Sequence, residues 1–239
     1  MRDPAVTPQE WHTLVQAQAA GRLSVRSHAM IFSTPAAIKA AGSMDAYIDG
    51  LEAQGIRPGA GAGRLRLWGL KLVLDGGVEA AALEQPYADR PGFRGELMWD
   101  SEELAQALAT AVRRGWPTGT HAFGDRAVAL MLDVARTVGK QTGPLPPGML
   151  VIEHGGLMGD RIADAAELGV HITVQQALLD GLRRRLWSVP RNSLTPKPEP
   201  VERQVLVLRG GYCPGGLFEL VSARVSSCPA LPAVPISTS

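Results

Sequence analysis

The sequence predicts an α/β fold in which short buried strands alternate with amphipathic helices. Several apolar runs of strand length are each followed by a glycine-containing turn and then by a helical pattern. Two of these runs end in a histidine, at His121 and His154, which lie 33 residues apart. A period of about 30 residues per strand-plus-helix unit is typical of a βα barrel or a doubly wound sheet, so parallel strands with right-handed crossovers are expected.

The first part of the chain is predicted to hold two helices around one strand. Helix 8–21 carries Trp11 and Leu14 on one face, and Gly21 ends it. Strand 23–32 alternates apolar and polar residues. Helix 34–55 follows, with a break at Gly42 where Ser43 caps a new start.

The rest of the barrel-like region is predicted as four strands and three helices. Asp100 and Glu103 form a capping box for one helix, and Asp125 is expected to cap the next. Loop 75–95 carries few periodic apolar residues and is expected to lie over the mouth of the fold. The predicted strands are 65–74, 117–123, 149–154 and 170–175, and the helices are 100–114, 125–138 and 158–168.

Two domains are predicted from a change of character near residue 180. Residues 1–180 form the strand–helix region. Residues 181–239 are rich in Pro, Gly and Ser and are expected to be poorly ordered. The two cysteines, Cys213 and Cys228, lie in this tail and do not amount to a disulfide framework.

The composition excludes several function classes. The net charge of +1 argues against a nucleic-acid partner or a membrane surface. No apolar run reaches the roughly 18 residues that a membrane helix needs. The start of the chain has no apolar signal core, so a cytoplasmic location is expected.

His121 and His154 are the first candidates for chemistry. Each stands where a strand ends, and in parallel α/β folds such residues point into the mouth of the active site. Two imidazoles placed there predict a metal site. The alternative for each is a histidine with a purely structural role. Glu153 is expected on the opposite side of a regular strand, as a salt bridge to the helix layer or as a partner that supports a ligand.

Lys71 lies in an apolar strand, where a bare ammonium is costly. Its side chain either extends to the rim or is converted by CO₂ to an N-carboxylate that offers two oxygens to a divalent cation. Asp75, four residues later, either caps a turn or contacts the substrate. Gln175 ends its strand and is expected to hydrogen-bond a substrate.

Five segments with these residues occur in a fixed order along the chain. They are Lys71-Leu-Val-Leu-Asp-Gly76, Glu84-Gln-Pro-Tyr-Ala-Asp89 with Gly92, His121-Ala-Phe-Gly-Asp-Arg-Ala127, Ile152-Glu-His154 and Gly169-Val-His-Ile-Thr-Val-Gln175. Together they resemble the metal-dependent amidohydrolase superfamily, and they look most like the branch that includes the N-substituted formamide deformylases. The resemblance covers about residues 1–180.

The resemblance implies a (β/α)₈ TIM-type barrel with one or two divalent metals, usually Zn²⁺, at its C-terminal face. It implies that Lys71 is a carboxylated lysine and that His121 and His154 are metal ligands. The implied reaction is hydrolysis of a non-peptide carbon–nitrogen bond, of amide type, in a small molecule by metal-activated water.

The chain also departs from this family. It has no His-x-His pair on a first strand and no aspartate after Asp180 to serve as general base. We therefore expect an incomplete barrel of about strands three to seven, as in a truncated chain. Open edges then call for a partner, such as a homo-oligomer, or leave the fold marginally stable. Weak metal binding and little hydrolysis are expected of this chain alone.

Two alternatives remain at this point. One is a non-catalytic remnant or scaffold that keeps the half-barrel without hydrolase activity. The other is a phosphate-binding βα enzyme, with Gly124 and Gly155 near helix starts, although no basic residue is well placed beside Gly155.

Overall fold

The computed structural model describes residues 1–77, 80–87 and 89–175, which all belong to one compact unit. Six strands form a single sheet in the order of the chain, and every neighbouring pair is parallel. They are β1 (Arg2–Val6), β2 (Ser27–Phe32), β3 (Leu65–Val73), β4 (Thr118–Ala122), β5 (Leu150–His154) and β6 (His171–Thr173).

Helices connect all the neighbouring strands, as parallel pairing requires. Side chains cap several of them. Thr7 and Glu10 form a reciprocal capping box at α1, and Ser43 accepts a hydrogen bond from the Ala46 amide at α3. The helices are α1 (Pro8–Ala19), α2 (Pro35–Ala40), α3 (Met44–Glu52), α4 (Ser101–Arg113), α5 (Asp125–Thr142) and α6 (Ile162–Glu167).

Alternation along the strands separates two faces of the sheet. Leu70, Leu72 and Ile152 have no exposed surface and belong to the core shared with the helices. Lys71 and Glu153 occupy the intervening positions and therefore face the other side, which we call the inner face.

An ion pair across the inner face shows that the sheet curves. Arg2 starts β1 and Glu153 lies in β5, four strands away, yet Arg2 Nη2 is 2.6 Å from Glu153 Oε1. At about 4.8 Å per strand these strands would be about 19 Å apart in a flat sheet, further than the two side chains reach. The curled sheet, with helices outside and polar side chains inside, is part of a TIM-type barrel, and the predicted α/β class is confirmed.

The structure corrects several boundaries. It contains a strand, β1, that the sequence did not indicate, so residues 1–175, as far as they are described, hold six strands where five were predicted. Helix 34–55 is divided at residues 41–43 as predicted, and α5 extends four residues beyond the predicted end. The predicted tail, 181–239, lies outside the described residues.

Two predicted helix caps are also corrected. Asp100 accepts a hydrogen bond from the Glu103 amide, but the reciprocal bond, from the Asp100 amide to the Glu103 carboxylate, is not formed. Gly124 takes the N-cap position of α5 in place of Asp125, whose Oδ1 accepts from the Glu84 amide instead. Asp125 therefore ties the loop after β3 to the start of α5. No helix among the described residues is long and apolar enough to cross a membrane.

Candidate metal centre

His121 and His154 meet at the carboxyl ends of β4 and β5. Their ring centroids are 4.6 Å apart, and the rings stand edge to face. Phe123 lies beside them, with its ring centroid 6.5 Å from that of His154. The structure therefore brings together the two histidines that the sequence singled out.

The His154 ring reaches His121 because β5 ends in an irregular residue. Glu153 is the register partner of His121, and His154 is the partner of Ala122, which belongs to the helix-side core. A regular strand would therefore direct His154 toward the helices. His154 instead has a φ of 79°, the only positive φ among the described residues other than glycine. Such a conformation costs about 1–3 kcal/mol and is typical of functional sites.

Hydrogen bonds leave a different nitrogen of each ring available. His121 Nε2 lies 3.0 Å from the Gly76 carbonyl oxygen, which only accepts, so Nε2 carries the proton. His154 Nδ1 lies 2.5 Å from Gln175 Oε1 and donates to it. Among the described residues nothing bonds to His121 Nδ1 or His154 Nε2, so these two nitrogens carry the free lone pairs.

Burial holds His154 in its neutral form. It lowers the pKa of His154 below the ordinary value, and the neighbouring charges of His121 and Lys71 lower it further, against the Gln175 hydrogen bond and Glu153, which raise it. A neutral imidazole is the form that binds a metal ion.

Lys71 lies on the inner face with an unsatisfied amine. The residue is 6% exposed, and Nζ has no hydrogen-bond partner among the described residues. Burial lowers the pKa of Lys71 to about 8, with Glu153 acting to raise it and Arg2 to lower it. Of the two expectations for Lys71, extension to the solvent is wrong, because the amine is buried.

The Glu153 side chain does not point toward the helix layer, so its predicted direction is wrong. It faces inward, where it pairs with Arg2 and accepts a hydrogen bond from Thr173 Oγ1 at 2.5 Å. Gly119 makes room for this cluster, since a Cβ there would lie 2.6 Å from Glu153 Oε1 and 3.3 Å from Arg2 Nη2. Arg2 was not among the predicted site residues, because no motif in the sequence marks it.

Asp75 is completely buried beneath the site. Its carboxylate accepts hydrogen bonds from the amides of Phe123, Gly124 and Ala82, and Oδ1 lies 3.4 Å from His121 Nε2. Of the two roles considered for Asp75, this geometry favours organisation of the turns. Contact between Asp75 and a substrate stays a prediction, as does contact between Gln175 and a substrate.

The donor set fits a divalent metal in part. Two free imidazole nitrogens lie at adjacent strand ends, and an orphaned buried amine lies in the neighbouring strand, close enough for its charge to act on His154. Three protein ligands are a workable number for a catalytic zinc ion. An ammonium at Lys71 would repel the ion, whereas an N-carboxylate there would bind it. Within residues 1–77, 80–87 and 89–175, no group of three His, Cys, Asp or Glu side chains is arranged to hold a metal. The assignment of Lys71, His121 and His154 as ligands stays a prediction.

Two solved structures of hydrolases are similar to this chain. One is an uncharacterized metal-dependent hydrolase from Pyrococcus furiosus, with 27% sequence identity and a TM-score of 0.60, and the match covers 75% of this chain and 35% of that one. The other is an uncharacterized metal-dependent hydrolase from Pyrococcus horikoshii OT3, with 29% identity and a TM-score of 0.58, covering 73% of this chain and 32% of that one. The chain thus spans about a third of the length of these relatives.

The family comparison covers a larger part of the chain. No curated protein matches it at a significant level. The model of the amidohydrolase family matches residues 3–201, which include both histidines and Lys71. The chain therefore belongs to the amidohydrolase family.

Proposed function

We propose that this chain carries part of the active site of a metal-dependent hydrolase that cleaves a non-peptide carbon–nitrogen bond, of amide type, in a small molecule. The observation that carries the proposal is the meeting of His121 and His154 at the carboxyl ends of two adjacent strands, with the unpartnered amine of Lys71 buried in the neighbouring strand β3. The irregular backbone of His154 supports it, because the conformation costs energy and brings the ring to the site.

Each residue has a distinct role in this proposal. His121 Nδ1 and His154 Nε2 would hold a divalent ion, and Lys71 would join them as its N-carboxylate. When bound, the ion would supply Lewis-acid activation of water and of the substrate carbonyl. Gln175 orients the His154 ring by accepting from Nδ1, and Glu153 with Arg2 fills the inner face below.

The relatives support the metal-dependent part of the proposal, because both are described as metal-dependent hydrolases. The type of bond rests on the resemblance of the sequence segments to the branch that includes the N-substituted formamide deformylases. Zn²⁺ is the proposed ion, since imidazole nitrogen suits it and it binds water in an open position.

The test measures hydrolysis by the metal-stripped chain before and after addition of Zn²⁺ and bicarbonate. Simple N-substituted formamides are the first probes, followed by N-acyl amines, with amine release measured by chromatography. We expect slow turnover that requires the metal and disappears in His121→Ala and His154→Ala. His12→Ala removes an exposed histidine of α1 and is the matched control. Turnover that persists in both active-site variants would contradict the proposal.

A non-catalytic barrel remnant is the second candidate function. The observation in its favour is that the described residues provide no carboxylate ligand beside the two histidines. This candidate predicts that none of the amides is hydrolysed at any metal concentration, in a chain that folds normally by circular dichroism.

A further inference from the structure

Asp75 is a buried carboxylate that contacts three separate parts of the site. Phe123 N–H donates to Oδ1 at 2.9 Å, and Gly124 N–H donates to Oδ2 at 2.8 Å, so the carboxylate closes the turn that follows β4. Ala82 N–H donates to Oδ2 at 2.9 Å and fastens the loop that follows β3. With no exposed surface, Asp75 has no free face for a solvent-borne ligand.

The fourth neighbour of this carboxylate is a proposed metal ligand. Asp75 Oδ1 is 3.4 Å from His121 Nε2, and the adjacent Gly76 carbonyl is 3.0 Å from the same nitrogen. Both oxygens are acceptors, and one carries a negative charge. Together they favour a proton on Nε2 and leave the lone pair on Nδ1.

We propose that Asp75 is a positioning residue that, together with the Gly76 carbonyl, fixes the tautomer and the orientation of His121, rather than a residue that binds substrate. The inference rests on the proposed function only in that it takes His121 as a metal ligand. The tautomer itself belongs to the metal-free chain. Asp75 thereby links the loop that follows β3 to the His121 ring, because one carboxylate accepts from Ala82 N–H and lies beside His121 Nε2.

The variant Asp75→Asn should replace the acceptor beside His121 Nε2 with a hydrogen-bond donor. If its carbonyl oxygen keeps the Gly124 and Ala82 amides, its NH₂ group faces Phe123 N–H and His121 Nε2. A donor placed there favours an unprotonated Nε2 and opposes the Gly76 carbonyl, which still accepts from Nε2. The share of the Nδ1–H tautomer, which lacks the lone pair that the metal needs, should therefore increase.

Long-range ¹H–¹⁵N correlation spectra of the metal-free protein measure this tautomer directly. The His121 signals are assigned by their loss in His121→Gln. We expect mainly the Nε2–H form in the wild type and an increased share of Nδ1–H in Asp75→Asn. Asp100→Asn is the matched control, because Asp100 caps α4 through the Glu103 amide and does not contact His121. This control should leave the tautomer unchanged.

A second readout is the affinity for Zn²⁺, measured by isothermal titration. Loss of the group that orients a ligand typically weakens metal binding by roughly 10- to 100-fold, and we expect that loss in Asp75→Asn but not in Asp100→Asn.

Either of two results would contradict the proposed role of Asp75. An Nδ1–H tautomer in the wild type overturns it, even if Asp75→Asn does not fold. A folded Asp75→Asn with an unchanged tautomer also overturns it. The proposed function fails separately, if the tautomer behaves as expected and no amide is hydrolysed.

Discussion

Replacing Lys71 with methionine should stabilise the metal-free protein at neutral pH. Burial lowers the pKa of Lys71 to about 8 from an ordinary value of 10.5, which corresponds to about 3 kcal/mol of unfavourable free energy in the charged folded state. Methionine is similar in length and has no charge to desolvate. Glu153 keeps its partners Arg2 and Thr173 in this variant. We therefore expect Lys71→Met to raise the free energy of unfolding by about 2–3 kcal/mol at pH 7.

The advantage of Lys71→Met should depend on pH. Between about pH 8 and 10.5 the unfolded chain binds a proton that the folded chain has released, so the free energy of unfolding of the wild type rises across this window. The difference in the free energy of unfolding between Lys71→Met and the wild type should thus be largest below pH 8 and small at pH 10.5.

Urea unfolding followed by circular dichroism, in buffer free of metal and CO₂, measures both quantities. Lys39→Met, at an exposed lysine of α2, is the control and should change stability by less than about 0.5 kcal/mol. A Lys71→Met variant that is less stable than the wild type at pH 7, or a stability difference that does not change between pH 8 and 10.5, would show that the buried amine of Lys71 does not destabilise the fold.

Two further predictions concern the inner face, and both are checked by urea unfolding. Glu153→Gln leaves Arg2 without its counter-charge and should lower the free energy of unfolding by about 3 kcal/mol. In a double-mutant cycle, the variant that also carries Arg2→Met should recover most of that loss. Gly119→Ala puts a Cβ 2.6 Å from Glu153 Oε1 and should cost about 1–3 kcal/mol. Gly50→Ala, in α3 with no atom near its Cβ, should instead stabilise the protein by about 1 kcal/mol. Equal effects of the two glycine substitutions would contradict the crowding argument.

Most of the fold was predictable because it follows from local patterns. Apolar runs gave the positions of β3, β4 and β5, and Ser43 correctly marked the start of α3. β1 was not predictable in this way. Its five residues include a proline and two charged side chains, and it is a strand because it pairs with β2 along the edge of the sheet. The sequence of such a short run does not indicate which distant segment it pairs with.

The candidate site was predictable only as a set of residues. The positions of His121 and His154 at strand ends followed from the repeat, and Lys71 was predicted within an apolar strand, but the direction of the His154 ring was not predicted. Strict alternation places either Glu153 or His154 on the inner face, and the positive φ of His154 allows both to lie there. The φ torsion of His154 therefore decides on which face its ring lies, and the spacing of residues along the sequence does not predict that torsion.

Arg2 and Asp75 illustrate a second limit. Arg2 acts through an ion pair with a residue 151 positions away, and Asp75 through amides at positions 82, 123 and 124. Both depend on curvature that brings separate strand ends together. A charged residue at a strand end has many solvated alternatives, so its burial becomes visible only once the sheet is folded.

X-ray absorption at the zinc K-edge shows whether His121 and His154 bind the metal ion in the proposed centre. For the zinc-loaded chain we expect two imidazole ligands, with nitrogen and oxygen atoms at about 2.0–2.1 Å from the metal. The imidazole signal should be lost in the double variant His121→Ala with His154→Ala. The contradicting result is a shell of sulfur at about 2.3 Å, as from Cys213 and Cys228, or an unchanged spectrum in the double variant.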